Sequence, residues 1–218
     1  MVSVLIIMVC SYLVGSFPTS IIVARMLKGI DIREYGSGNA GGTNAFRVLG
    51  WQAGLVVSLV DVAKGTLATV LISRLRLGAL PFDNPTLIMI LAGLCAILGH
   101  TFTIFAGFRG GKGVAAGAGM IIGLYPLVFV ICLVTFALVL FSTGIVSVSS
   151  ITAAITLPAA LFILDFTGLL AIDDTLKVFG LLIPLFIIYT HRENIRRLLK
   201  GEERGFEKVA IFRRKKKS

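Results

Sequence analysis

Apolar runs long enough to cross a lipid bilayer fill most of this 218-residue chain. They lie at about residues 3–26, 51–73, 86–105, 112–141, 145–166 and 175–190. A helix needs roughly 18 or more apolar residues to cross a bilayer core of about 30 Å. With 56% hydrophobic and 15% charged residues, the chain carries more apolar surface than a soluble domain of this size buries. The hydrophilic stretches between the runs are short. The expected fold is therefore all-α and polytopic, with lipid as the solvent and the chemistry carried by the loops. Met1 to Ala24 has neither a basic leader nor a small-residue cleavage site, so it reads as a retained first span. Cys10, Cys95 and Cys132 each sit inside an apolar run without metal or disulfide spacing, and read as small packing residues.

The net charge of +10 does not indicate nucleic acid, because about half of the Lys and Arg lie after Tyr189 and end in the run Arg213–Lys217. A basic cluster just after a span follows the positive-inside rule and suits anionic lipid headgroups. Arg25, Lys28, Arg33 and Arg47 flank the loop after the first span, and Arg109 and Lys112 flank the loop after the third. These loops and the tail are expected on the cytoplasmic side of the membrane, with the N-terminus outside. Asp83, Asp165, Asp173 and Asp174 fall in the opposite loops, where Arg74 and Arg76 are exceptions to the rule. Opposite termini require an odd number of spans. Segment 112–141 would measure about 45 Å as one helix. Splitting it at Gly123-Leu124-Tyr125-Pro126 gives seven transmembrane helices. Residues 1–191 then form a membrane-embedded part expected to carry the chemistry, and residues 192–218 a basic cytoplasmic interfacial helix and tail.

Three polar islands interrupt this pattern. The first runs from Ser37 to Arg47 and contains Asn39, Thr43 and Asn44 among glycines. Glycines let the backbone approach a ligand closely, Ser, Thr and Asn offer neutral hydrogen-bond groups, and Arg47 offers a planar cationic fork suited to phosphate. The bland alternative is a loop with ordinary helix caps. The second island is Gly99-His100 followed by Phe108-Arg109-Gly110-Gly111-Lys112-Gly113. Backbone N–H groups at a helix start, reinforced by Lys112, make an anion site, although a glycine turn with a positive anchor reads equally well. The Walker spacing is absent, so ATP is not implied. The third island, His191-Arg192-Glu193-Asn194-Ile195-Arg196-Arg197, continues the last span. His191 and Asn194 share a helical face, while Glu193 points toward Arg197 or a cation elsewhere. An amphipathic interfacial helix explains Arg196 and Arg197 but not His191 and Asn194. Within the second span, Asp61 and Lys64 are spaced to pair and read chiefly as structural bracing, with substrate contact second.

The order S-G-N-x-G-x-T-N-x-x-R, then G-H…F-x-G-G-K-G, then H-R-E-N-x-x-R-L resembles the signature motifs of the bacterial acyl-phosphate-dependent glycerol 3-phosphate acyltransferases (PlsY-type). The hydropathy profile resembles that family along essentially the whole chain, and Ala40 stands where proline is common in it. The resemblance implies transfer of a fatty acyl group from acyl phosphate to the 1-hydroxyl of sn-glycerol 3-phosphate. The products would be lysophosphatidic acid and inorganic phosphate, the first step of phospholipid synthesis, with neither acyl-CoA nor acyl carrier protein as donor. It further implies that Ser37 and Arg47 are essential, that Gly110, Gly111, Lys112 and Gly113 resemble a glycerol 3-phosphate-binding loop, that His191 and Asn194 support activity, and that Glu193 supports structure.

Both substrates carry phosphate and one carries an acyl chain, so the chemistry calls for cations, N–H donors and access to lipid. Arg47 and Lys112 are expected to hold phosphate. Ser37, Asn39 and the glycine-loop amides are expected to donate to phosphate or the developing oxyanion, with Thr43, Asn44 and His100 among the phosphate-binding groups. The proton goes either to His191 as general base or to a substrate phosphate, with His191 then a cationic clamp. No cofactor and no metal is expected, and activity should survive chelator. Anionic lipids are expected partners and nucleic acid is not; the oligomeric state is not legible. The rival class is an anion transporter, which needs a site reachable from both sides. A headgroup transferase with a nucleotide-linked donor is a weaker rival, since its acidic metal cluster is missing.

Overall fold

The computed structural model describes residues 1–78, 80 and 84–206. Asp83 and the basic run at 213–217, both used above for sidedness, lie outside the described residues. The described residues form ten α-helices and three 3-10 turns and no strand, as the apolar pattern predicts. The chain divides into two compact units, Met1–Pro126 and Leu127–Ser218.

The first unit contains α1 (Val2–Gly15), α2 (Thr19–Lys28), α3 (Gly42–Leu49), α4 (Trp51–Val70), α5 (Pro85–Thr101) and α6 (Val114–Leu124). Its helices meet at small residues, as lipid-embedded helices do when their backbones approach closely. At the α4–α6 crossing, a Cβ added to Gly119 would lie 2.8 Å from the Thr66 nitrogen, so only glycine fits. Thr66 Oγ1 also donates to Gly119 O at 3.0 Å. Beneath the first polar loop, Ile21, Ala24, Ile32, Ala40, Ala45 and Val57 form a buried apolar cluster.

The expected single first span, 3–26, is broken at Ser16-Phe17-Pro18. Pro18 has no N–H to donate and disfavours helical geometry at Phe17, which frees carbonyls at the end of α1. In lipid those carbonyls need protein partners. Ser16 O accepts from Thr103 Oγ1, and Phe17 O accepts from Lys64 Nζ at 3.0 Å.

The second unit contains α7 (Pro126–Thr143, whose first residue lies on the boundary), α8 (Val146–Phe166), α9 (Asp174–Thr190) and α10 (Arg192–Leu199). The expected split of segment 112–141 falls at Tyr125, between α6 and α7. The third island does not simply prolong α9: the chain bends by 60° between α9 and α10. Among the described residues five helical segments can cross a membrane by length and composition, Val2–Lys28, Trp51–Arg74, Pro85–Ala106, Pro126–Thr143 and Val146–Phe166, and a sixth is added if the bent α9–α10 pair counts as one span. Helix α6 has 11 residues, about 16 Å, or roughly half of a bilayer core.

Candidate active site

The first island is half loop and half helix. Asp31 caps a 3-10 turn at Ile32–Glu34 by accepting from the Arg33 N–H at 3.0 Å. Ile32 pins this turn to the apolar cluster below. The chain then passes Ser37, Gly38 and Asn39 and enters α3 at Gly42, so Thr43, Asn44 and Arg47 are helical. Sequence reading treated the whole island as a loop and missed this helix.

Asn44 is fully buried, and its place changes its role. Its Nδ2 donates to Ile32 O at 3.1 Å and to Tyr35 O at 3.0 Å, while its Oδ1 accepts from the Ser37 N–H at 2.8 Å. Both amide hydrogens and the carbonyl are thus committed to the loop's own backbone. Asn44 was expected among the phosphate donors; the structure makes it the brace that shapes the turn carrying Ser37. Ser37, Asn39, Thr43 and Arg47 remain half-buried, so a hydroxyl, an amide, a second hydroxyl and a guanidinium lie along a firmly held backbone.

The second island leads into α6 as expected, with Gly113 at its N-cap in the left-handed region at φ +85°. The amides do not match the expectation. The Gly110 N–H donates to Thr101 O at 3.0 Å and the Gly111 N–H to His100 O at 2.9 Å, which closes the last turn of α5. These two N–H groups are not donors for a substrate phosphate. Gly111 instead lies flat on the His100 ring, where an added Cβ would come within 2.7 Å of Cε1. Phe108, just before the glycines, holds φ +60°, a strained value for a bulky residue and a mark of a backbone fixed by its surroundings. Lys112 is half-buried directly after this locked turn.

His100 was also expected to bind phosphate. It is 6% exposed and sits in a polar knot beneath the glycines. Three groups converge on Asp61 Oδ1: Lys64 Nζ at 2.8 Å, Thr19 Oγ1 at 3.2 Å and His100 Nδ1 at 3.5 Å. Asp61 and Lys64 pair at i and i+3, the geometry read from the sequence. Their charges are nearly out of reach of solvent, at 2% and 6% exposure, and buried charges of this kind persist only when paired and hydrogen-bonded. The knot ties α4, the start of α2, the end of α5 and the glycine turn together.

In the second unit His191 and Asn194 are both buried, at the junction of α9 and α10. The His191 Nδ1–H donates to Ile187 O at 2.8 Å, which leaves Nε2 to carry the lone pair in the neutral ring. Asn194 Nδ2 donates to Glu203 Oε1, Ser147 Oγ donates to the same oxygen at 2.8 Å, and Arg197 Nε donates to Oε2 at 2.7 Å. Burial pushes the Glu203 carboxyl up, but the hydrogen bonds from Asn194, Arg197 and Ser147 outweigh it and hold Glu203 below the usual carboxylate range. Glu193 was expected to point toward Arg197 or toward a cation elsewhere; Arg197 grips Glu203 instead, and Glu193 is exposed. Sequence reading missed Glu203, whose only signal was an acidic pair placed among basic residues just past α10. Among the described residues no three His, Cys, Asp or Glu side chains gather as a metal site.

Residues 5–201 match the family profile described as glycerol-3-phosphate acyltransferase. A glycerol-3-phosphate acyltransferase of Chlorobium phaeobacteroides is 47% identical over 93% of this chain and 96% of that protein. One of Chlorobaculum parvum is 49% identical over the same shares. Among solved structures, the chain is similar to PlsY (YgiH), an integral membrane glycerol 3-phosphate acyltransferase. Its glycerol 3-phosphate form superposes with TM-score 0.82 at 33% identity, covering 94% of this chain and 96% of that one. Its lysophosphatidic acid form gives TM-score 0.80 at 33% identity, covering 94% and 95%.

Proposed function

The chain belongs to the glycerol-3-phosphate acyltransferase family of integral membrane enzymes of phospholipid synthesis, and from this we propose that it moves a fatty acyl group from acyl phosphate to the 1-hydroxyl of sn-glycerol 3-phosphate. The family match across residues 5–201 carries this reading. The relatives' name supports the acceptor, and the solved forms with glycerol 3-phosphate and lysophosphatidic acid support acceptor and product. The three motifs, in family order, support the donor.

Acyl phosphate is an activated mixed anhydride. The acceptor hydroxyl oxygen attacks the acyl carbonyl carbon, the bond from that carbon to the phosphate oxygen breaks, and phosphate leaves. The protein's work is to orient the alcohol, hold two phosphates and place one proton. In the first unit Arg47 and Lys112 hold phosphate charge, and Ser37, Asn39 and Thr43 donate hydrogen bonds to phosphate or the oxyanion. Gly110, Gly111, Gly113 and His100 fix the turn that presents Lys112, with Asp61 and Lys64 beneath. In the second unit His191 and Asn194 support turnover, and a substrate phosphate, with a second pKa of about 6, takes the proton. The route uses no acyl-enzyme on Ser37, since its motif carries no obvious Ser-His-Asp set, and a trapped acyl-Ser37 would overturn this.

Purified protein given acyl phosphate should release inorganic phosphate only when glycerol 3-phosphate is present. Turnover with acyl-CoA in place of acyl phosphate would overturn the donor assignment, and substrate flux into proteoliposomes would favour the transporter class. His191→Gln tests the proton route: a clamp predicts a raised KM for glycerol 3-phosphate with kcat within about tenfold of wild type. Normal glycerol 3-phosphate binding with turnover lower by orders of magnitude would make His191 the base instead.

The topology belongs to the same reading. Seven segments enter the bacterial inner membrane, α6 being a short one, with residues 1–191 as the catalytic part and 192–218 as the cytoplasmic interfacial helix and tail. The N-terminus lies outside, and the polar islands face the cytoplasm and anionic lipid. Thiol labelling of a cysteine placed at Tyr125 should occur only from outside; labelling from the cytoplasmic side sinks the count of seven.

A further inference from the structure

We propose that Arg33 is a positioning residue that couples the first polar loop to the loop leading into Gly110-Gly111-Lys112-Gly113, so that the two phosphate-handling segments hold one geometry. The inference rests on the acyl-transfer reading for its kinetic consequence, and on the structure for the coupling itself. Arg33 Nε and Nη2 grip Asp31 at 3.0 and 2.7 Å, while Nη1 donates to Ala106 O at 2.7 Å, a partner 73 residues away. A planar guanidinium can bridge a carboxylate and a carbonyl at once, whereas a lysine ammonium has one nitrogen to place.

Each end of this bridge is anchored. On one side the turn at Ile32–Glu34 is capped by Asp31 and held from behind by Asn44, which also grips the Ser37 N–H. On the other, the Ala106 N–H donates to Thr103 O at 3.2 Å, Thr103 Oγ1 donates to Ser16 O, and four residues on Gly110 is tied to Thr101. Hydrogen bonds joined by short stretches of backbone, Ile32–Arg33 on one side and Thr101–Thr103 on the other, thus link Ser37 to Gly110 through Arg33. Arg33 is not itself a good phosphate ligand, because its charge is spent on Asp31. The Arg33 hydrogen bond, against the opposing effect of burial, holds the Asp31 carboxyl at about 2, so the pair is fully ionised near neutral pH.

The test is Arg33→Lys in the full-length protein in detergent, followed by hydrogen exchange and steady-state kinetics. Faster exchange is expected in residues 30–38 and 102–110 together, with KM for glycerol 3-phosphate up about tenfold and kcat within about threefold. Asp31→Asn removes the ion pair but leaves the guanidinium able to reach Ala106 O, so segment 102–110 should keep wild-type exchange. Faster exchange in 30–38 alone for Arg33→Lys would show that the bridge couples nothing and overturn the proposal. So would faster exchange in both segments with unchanged KM and kcat, which makes the bridge merely structural, and so would lost turnover with unchanged exchange, which makes Arg33 a substrate contact. A wild-type protein inactive on acyl phosphate and glycerol 3-phosphate would defeat the proposed function while leaving the exchange result to decide the coupling.

Discussion

Lys112→Met is expected to lower kcat/KM for phosphate release by about 10²–10³-fold, the usual cost of removing one preorganised group that stabilises transition-state charge. Methionine keeps the length and half-buried packing of the side chain and deletes only the charge. The expectation is sharp because the turn before it is so constrained: Gly110 and Gly111 are bonded to the end of α5, and Gly111 is pressed on His100. A residue delivered by a turn with little freedom has a job at one place. Turnover within threefold of wild type would remove Lys112 from the site.

Asp61→Asn should be the most damaging substitution for stability, by about 3–5 kcal/mol, because it leaves Lys64 and His100 facing a neutral amide where solvent does not reach. For a chain of this size that is a fall of about 6–20 °C in the unfolding midpoint, measurable by scanning fluorescence in detergent. The double variant D61N/K64M should recover part of the loss, since the unpaired ammonium is gone, though Phe17 O then keeps only the Thr19 N–H as donor. An unfolding midpoint for Asp61→Asn equal to wild type would show that the knot does not hold the helices.

The all-helical class, the break at Tyr125 and the pairing of Asp61 with Lys64 were legible because each depends on neighbours in sequence. Apolar period, a proline and an i, i+3 spacing are local facts. The uses of Asn44, Gly110, Gly111 and His100 were not legible for one shared reason. A donor that binds a ligand and a donor that binds its own backbone look alike in sequence, and only the path of the chain decides between them. The Arg33 bridge was hidden by distance, its partner Ala106 lying 73 residues away, whereas Glu203 has two partners only 9 and 6 residues back, Asn194 and Arg197, reached across the end of α10 by a path that spacing does not give. The break in the first span was different: Phe17-Pro18 announced it, and the length of the apolar run obscured the signal.

That break also sets an order of events at the ribosome. Ser16 O waits for Thr103, made 87 residues later, while Phe17 O is reached at once by the Thr19 N–H and gains Lys64 47 residues later. At roughly 5–20 residues per second, about 4–18 s pass before Thr103 exists. For that interval Ser16 O lacks the hydroxyl that it meets in the folded chain. The loop that shapes the second island thus also supplies the hydroxyl that closes the break in the first span.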